Sequence, residues 1–151
     1  MTDLTFVTYC GLYCKSCSAR GRIPQQAQAL RQSLEKEGFT AWGPHVFEDF
    51  EAFWTLLADL GDFDKACPGC RAGGGDPTCE IRVCAREHAV DICSLCDEFP
   101  CERIQRFSRR YPTLLVDGQR LKEIGADAWI AEQEDRAKCG FIYSDCRIET
   151  R

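Results

Sequence analysis

The stretch CPGCRAGGGDPTCEIRVCAREHAVDICSLCDEFPC, residues 67–101, carries seven of the twelve cysteines in this chain of 151 residues. It is rich in turn-forming residues and has few large apolar side chains, so burial of apolar surface alone is too weak to fold it. Bound metal supplies the folding free energy of many segments of this kind. The sequence therefore predicts an irregular region that is held together by metal.

Pairs of cysteines with C-x-x-C spacing occur three times, at Cys14 and Cys17, at Cys67 and Cys70, and at Cys93 and Cys96. Two intervening residues allow a tight turn that directs both thiolates at one ion and leaves backbone N–H groups free to bond the sulfurs. In CPGC, Pro68 fixes the turn and Gly69 permits a positive φ. Three such pairs in a short chain favour metal binding over burial of the cysteines as small apolar side chains.

The first three cysteines, Cys10, Cys14 and Cys17, have the C-x3-C-x2-C spacing with which radical enzymes hold an open iron–sulfur cluster. Such enzymes also need a large partial barrel, and this chain has neither the length nor the alternating strand and helix pattern of one. We therefore interpret the three thiols as part of a closed site whose ligands all come from the protein.

The net charge is -5, and two Zn(Cys)4 centres would lower it to about -9. This balance argues against general nucleic-acid binding, which requires a basic surface. The arginine-rich segment ERIQRFSRR, residues 102–110, is interpreted as a solvated helix face, with a small patch for an acidic partner as the alternative.

The opening residues, MTDLTFVTYCG, are too short and polar for a signal peptide, and the longest apolar runs are too short to span a membrane. We therefore expect a cytoplasmic protein without membrane association. In a reducing cytosol, clustered cysteines are metal ligands or redox-active thiols more often than disulfides.

Apolar spacing predicts a mostly α fold, with a small α+β fold as an alternative because LTFVTY, residues 4–9, could form a strand. Helices are expected after Pro24 up to Gly38, after Pro44 up to Gly61 with its aromatic side chains in the core, over residues 80–89, and from Pro100 to Arg110. Two more are expected in the tail, broken at Gly125, with Asp127 as N-cap and with Leu121, Ile124, Trp129 and Ile130 docked on the core.

These patterns predict one domain over residues 1–151, with a metal region at about 10–17 and 67–101 and a helical tail over 102–138. Six residues separate Cys139 from Cys146, a spacing that matches no tight metal-binding turn, and we interpret both as ordinary buried cysteines. His88 follows Cys84 by four residues, so that it could ligate, although a structural role is the simpler interpretation.

The chain resembles the cysteine-rich bacterial and archaeal family named domain of unknown function 3795. The resemblance runs from Cys10 to about Trp129 and includes CGLYCKSC, CPGCRAGGG, CEIRVCAREHAVDICSLCDEFPCERI and IGADAWI. Some relatives have a cysteine where Asp76 stands here, three residues before Cys79. The resemblance implies metal binding and no defined enzymatic activity. Its matching cysteines are Cys10, Cys14, Cys17, Cys67, Cys70, Cys79, Cys84, Cys93, Cys96 and Cys101.

The leading functional hypothesis is a protein with about two structural zinc ions and no catalytic or other cofactor-binding residues, which presents a surface to an unidentified protein partner. One grouping places Cys14, Cys17, Cys67 and Cys70 at one ion and Cys79, Cys84, Cys93 and Cys96 at the other, with Cys10 and Cys101 as alternates. The first alternative is an iron–sulfur protein for electron transfer or sensing, since CSLCDEFPC partly resembles a ferredoxin motif. The second is a thiol–disulfide oxidoreductase, which would need a βαβ setting that the sequence lacks.

Overall fold

A computed structural model describes residues 2–146. Its α-helices are α1 (Ser18–Gly21), α2 (Ile23–Lys36), α3 (Phe39–Val46), α4 (Phe50–Gly61), α5 (Phe63–Ala66), α6 (Glu80–Glu87), α7 (Glu102–Ser108), α8 (Leu114–Ile124) and α9 (Ala126–Lys138). Short 3-10 helices lie at Cys14–Ser16, Cys70–Ala72, Cys93–Leu95 and Tyr143–Asp145. Within the described residues the fold is mostly α, as predicted, and the N-terminal segment forms a single isolated bridge between Val7 and Tyr13 in place of a strand.

The main core joins the start of the chain to its last two long helices. Val7, Tyr13, Ile92, Leu121 and Trp129 form a buried cluster. Ile124 and Ile130 pack against this cluster at its edge, so the predicted docking of the tail helices is confirmed. A second cluster, of Ile81, Ile104 and Leu114, lies between α6, α7 and α8. The cysteine-bearing turns pack against these two clusters.

Local signals predicted several helix ends correctly. Pro24 stands in the first turn of α2, and Gly38, with φ of 68°, follows its end in the left-handed conformation. Gly125 separates α8 from α9, as expected. It is itself the N-cap of α9, however, and Asp127 lies in the first turn, so the assignment of Asp127 as the cap was wrong. A carboxylate in that turn still complements the helix dipole.

The segment around Pro44 differs from the prediction. Pro44 lies inside α3, and the next helix begins only at Phe50. The aromatic stripe of this segment was predicted to be core, which is wrong for most of it. Phe50 and Leu57 are buried, but Val46 is 64 %, Phe47 49 %, Phe53 39 % and Leu60 36 % exposed. The reason is geometric: α4 packs chiefly on α2, and few other elements contact its remaining faces.

Adjacent leucines on α4 provide a matched test of this packing. Leu57 is 5 % exposed and Leu56 is 58 % exposed. Leu57→Ala is expected to lower the free energy of unfolding by about 2–4 kcal/mol, because it leaves a cavity between α4 and α2. Leu56→Ala should change it by less than about 0.5 kcal/mol. Urea denaturation of both variants measures the difference, and equal losses would contradict the packing described.

None of the helices in residues 2–146 combines the length and the apolar character that crossing a bilayer demands.

Candidate metal centre

Two of the C-x-x-C motifs fold in the same way. In each, a 3-10 turn starts at the first cysteine, and the N–H of the second donates to its carbonyl, Cys17 to Cys14 and Cys96 to Cys93, both at 3.0 Å. The residue before each turn, Tyr13 or Ile92, is extended and fully buried in the main core. The buried side chain before each turn therefore fixes the position of the turn, and the thiols lie next to the main core.

The CPGC motif has a different conformation. Gly69 has φ of 96°, which confirms the positive φ expected there, and its carbonyl accepts the N–H groups of Ala72 and Gly74 at 3.1 and 2.8 Å. The loop then passes close to the first thiol. A Cβ atom on Gly74 would lie 3.2 Å from Cys67 Sγ. Glycine at this position therefore lets the backbone approach the sulfur.

We name Cys14, Cys17, Cys67 and Cys70 the first group, because the thiols of Cys17 and Cys67 and the backbone of Cys70 are neighbours of the Cys14 thiol. Burial raises the pKa of the Cys14 thiol to about 11, and the neighbouring Cys17 and Cys67 raise it further. The N–H of Cys70 donates to the Cys14 sulfur and acts in the opposite direction. A backbone donor aimed at a sulfur is the arrangement expected around a metal-bound thiolate.

The remaining thiols form a second group around Cys93, whose pKa is raised to about 12 by burial and then by Cys10, Cys101, Cys84 and Cys96. Cys10 lies between the groups. Burial raises its pKa to about 11, the neighbouring thiols of Cys70 and Cys79 raise this pKa further, and Thr8 Oγ1 stands 3.0 Å from its sulfur. Four of these cysteines pack against the second apolar cluster: Cys10, Cys79, Cys93 and Cys101.

The ten thiols lie near one another, but their arrangement does not complete the coordination of a metal ion. Across residues 2–146, no three or more Cys, His, Asp or Glu side chains are arranged so that they could hold a metal ion. Metal ligation by these cysteines therefore stays a prediction. The chemistry of the donors fits a thiophilic ion, since every cysteine in both groups is a free thiol.

Three arginines tie the cysteine-bearing loops together through their carbonyl groups. Arg20 donates to the Cys67 carbonyl at 2.5 Å, and Arg71 donates to the Val7 and Asp91 carbonyls at 2.7 and 2.5 Å. Arg82 is 5 % exposed and donates to the carbonyls of Cys70, Gly74 and Asp76. No carboxylate pairs with the Arg82 guanidinium among the described residues. Hydrogen bonds from Thr78 and, to a smaller extent, the Arg82 charge lower the pKa of Asp76, so this carboxylate offsets part of the buried charge, and thiolates bound to a metal would offset more of it.

Two serines inside the C-x-x-C turns were not singled out by the sequence. Ser16 and Ser94 are fully buried, and neither hydroxyl has a hydrogen-bond partner in the described part of the chain. A serine hydroxyl donates well to an ionised sulfur and poorly to a neutral thiol. These orphaned hydroxyls fit a site whose cysteines become thiolates. Their position within C-x-x-C was the only signal that could have identified them.

The two C-terminal cysteines were predicted to be buried, and this is wrong: Cys139 and Cys146 are both exposed. Cys139 follows the end of α9, and Cys146 donates to the Tyr143 carbonyl at 3.5 Å. Neither belongs to the two thiol groups. His88 Nδ1 lies 3.7 Å from the Cys84 sulfur and 2.9 Å from the Cys84 carbonyl, so it stands at the margin of the second group.

An open cavity of about 650 Å³ adjoins the second group and is lined by Cys84 and Cys101 together with charged side chains of α6 and α7. Part of the arginine-rich segment forms its wall. Arg103 stands 3.5 Å from the Cys84 sulfur, and Arg106 pairs with Glu80 at 2.7 Å. The cavity gives solvent, and any ion carried in it, access to the thiols.

A protein-family model described as "Protein of unknown function (DUF3795)" matches residues 6–106. The match includes all ten cysteines of the two groups and ends before the distal IGADAWI. Neither curated proteins nor solved structures give a match. The matched residues are two thirds of the chain and contain its whole cysteine framework, so the chain belongs to the DUF3795 family.

Proposed function

We propose that the protein binds about two zinc ions through its ten family-matched cysteines and that the ions stabilise the cysteine region as a structural unit. One observation carries the proposal. Thiols from residues 10–17 and from residues 67–101 lie in two adjoining groups, although five helices, α1 to α5, separate them along the chain.

The first group has the composition of a closed site. Cys14, Cys17, Cys67 and Cys70 are four thiols, the number that a structural zinc ion takes, with no position left open for a substrate. The N–H of Cys70 already donates to the Cys14 sulfur, as a second-sphere donor would. Arg20 binds the Cys67 carbonyl and fixes one side of this group.

The second group offers more thiols than one ion requires. We assign Cys79, Cys84, Cys93 and Cys96 to the ion, with Cys10 and Cys101 as alternates. Both alternates are neighbours of the Cys93 thiol and raise its pKa, which supports their inclusion in the group. Arg82 contributes positive charge beside the loop of Cys70 and Asp76, and this charge would offset the double negative charge of a zinc ion with four thiolates.

Metal content tests the proposal directly. Protein purified without oxygen and without added metal should be colourless and should contain about two zinc ions per chain by elemental analysis, since closed thiolate tetrads favour zinc. Absorption above 300 nm should be weak. Protein that is fully reduced and monomeric but contains neither zinc nor iron would contradict the proposal.

An iron–sulfur cluster in the second group is the other candidate, because a cluster is also held by four cysteine thiolates and CSLCDEFPC, which partly resembles a ferredoxin motif, supplies three of the cysteines of this group. The same preparation separates the two candidates. A brown protein that absorbs broadly near ~400 nm and contains iron and acid-labile sulfide would assign the second group to a cluster.

A further inference from the structure

The helices between the two halves of the cysteine framework carry an exposed apolar surface that the metal proposal does not use. We define the aromatic face as Trp42, Phe47, Phe53, Leu56 and Leu60, all of them exposed. On α4 the last three lie three and four residues apart, so they share one side of the helix. Such a contiguous exposed apolar surface on a helix marks an interaction site more often than it marks chance exposure.

Aromatic rings organise one end of this face. Phe39 lies 4.4 Å from Trp42 and 5.7 Å from Phe47 between ring centroids. A cavity of about 320 Å³ beside these rings is lined by Phe39, Phe47, Phe50 and Phe53, and its one polar neighbour is Asp49. The rings pack on one another and keep the cavity open, so the site is formed before any partner arrives. A preformed aromatic pocket suits an apolar anchor side chain of a partner.

The charged side chains of the segment that carries the aromatic face, residues 37–64, are all acidic. Residues 37–64 contain seven Asp or Glu and no Lys or Arg, which gives this segment a formal charge of -7. Two of these carboxylates, Asp59 and Asp64, form ion pairs with Lys65 and Arg20 outside the segment, and among the described residues the other five do not. The whole chain has -5, so the remainder carries +2. Glu48, Asp49 and Glu51 are exposed at the junction of α3 and α4, next to the aromatic pocket. The surface therefore combines an apolar centre with a strongly acidic rim.

We propose that the aromatic face is a docking site for a basic amphipathic helix of a partner protein. The apolar side of such a helix would cover the exposed rings and leucines, and its Lys and Arg side chains would meet the acidic rim. The length agrees, because the 12 residues of α4 present about 18 Å of surface, or some three helical turns. An anionic membrane and a nucleic acid are disfavoured by the same negative charge.

A synthetic helix tests the proposal. The probe is an 18-residue amphipathic peptide of Leu and Lys, compared with a peptide of the same composition in scrambled order and with one that has Glu in place of Lys. We expect calorimetry to give at least tenfold tighter binding for the basic amphipathic peptide than for either comparison peptide. Its affinity should fall as salt is raised. The emission of the exposed Trp42 should shift to shorter wavelength on binding.

Exposed side chains allow variants that leave the core intact. Phe47→Ser and Phe53→Ser should each weaken peptide binding at least tenfold, because truncation of an aromatic anchor removes a large part of an interface energy. Val116→Ser, at an exposed valine of α8 outside the face, is the matched control and should bind as the wild type does. Circular dichroism verifies that all three variants keep their helix content.

Several outcomes would overturn the proposal. These are equal affinity for the scrambled peptide, equal binding by Phe53→Ser and wild type, and tighter binding to vesicles that contain phosphatidylserine than to the peptide. Concentration-dependent dimerisation that Phe53→Ser abolishes would instead assign the aromatic face to a second copy of this chain. Sedimentation velocity over a hundredfold concentration range provides that measurement.

Discussion

Replacing Cys70 by serine is expected to abolish binding of one of the two zinc ions that we propose. The substitution removes a soft thiolate from the first group, and a serine hydroxyl is a poor ligand for zinc. The backbone N–H that donates to the Cys14 sulfur is retained in the variant, so the effect isolates the side chain. Because structural zinc contributes about 10–16 kcal/mol of apparent binding free energy in small domains, loss of one ion should lower the thermal midpoint by about 10 °C or more.

Elemental analysis and thermal unfolding, both without oxygen, measure this result. Cys146→Ser and Cys139→Ser are the matched controls, since both cysteines are exposed and lie outside the two thiol groups. Both controls should keep the wild-type zinc content. An unchanged zinc count in Cys70→Ser, or an ion lost in Cys146→Ser, would show that the ligands lie elsewhere in the chain.

Removal of the metal should unfold the cysteine region before the helices that flank it. Between Cys67 and Cys101 the buried apolar side chains are Ile81, Ala85 and Ile92, which are too few to order 35 residues. Amide exchange in α6 should therefore accelerate at least about a hundredfold on chelation, which corresponds to a loss of about 3 kcal/mol of local stability. Exchange in α4, which packs on α2, should change much less.

Hydrogen exchange followed by mass spectrometry, with a reductant present to prevent disulfide formation, resolves the two helices. Readdition of zinc should restore the slow exchange of α6. If residues 67–101 exchanged as slowly without metal as with it, apolar packing would be sufficient for this region and the structural role of metal would be wrong.

Most helix boundaries followed from local chemistry that the sequence displays directly. Pro24 marks the start of α2 because its ring fixes φ at a helical value, and Gly38 marks its end because glycine adopts a positive φ without strain. Both effects are local, so the sequence displays them directly. The positive φ of Gly69 was predictable for the same reason. Periodicity also identified which side of α4 is apolar. Periodicity could not reveal whether another element covers the apolar side of α4. Phe53 is exposed because none of the described helices covers much of that side.

Nonlocal contacts account for what the sequence did not predict. Arg82 is spaced like any charged residue on a surface helix, and only the folded loop of Cys70, Gly74 and Asp76 makes it a buried carbonyl-binding group. The exposure of Cys139 and Cys146 contradicts a general tendency of cysteine, because their local position at the end of α9 and beside Tyr143 leaves the thiols open to solvent. The sequence proposed a grouping of thiols from distant segments, and the fold adds which of these thiols are neighbours.

The hydrogen bond from Arg20 to the Cys67 carbonyl joins the two ends of the segment that contains α2 to α5, so that this segment forms a closed loop. An ion shared by Cys17 and Cys67 closes the same loop of about 50 residues, and for a flexible chain this closure would cost about 3 kcal/mol of entropy. The packed helices remove much of that cost before the ion binds, because they hold the two ends together. If the first group binds zinc as proposed, folding of α2 to α5 would therefore strengthen its affinity for the ion. A variant such as Leu57→Ala, with no thiol near it in the chain, should weaken zinc binding at Cys14, Cys17, Cys67 and Cys70 and spare the second group, which lies outside the loop.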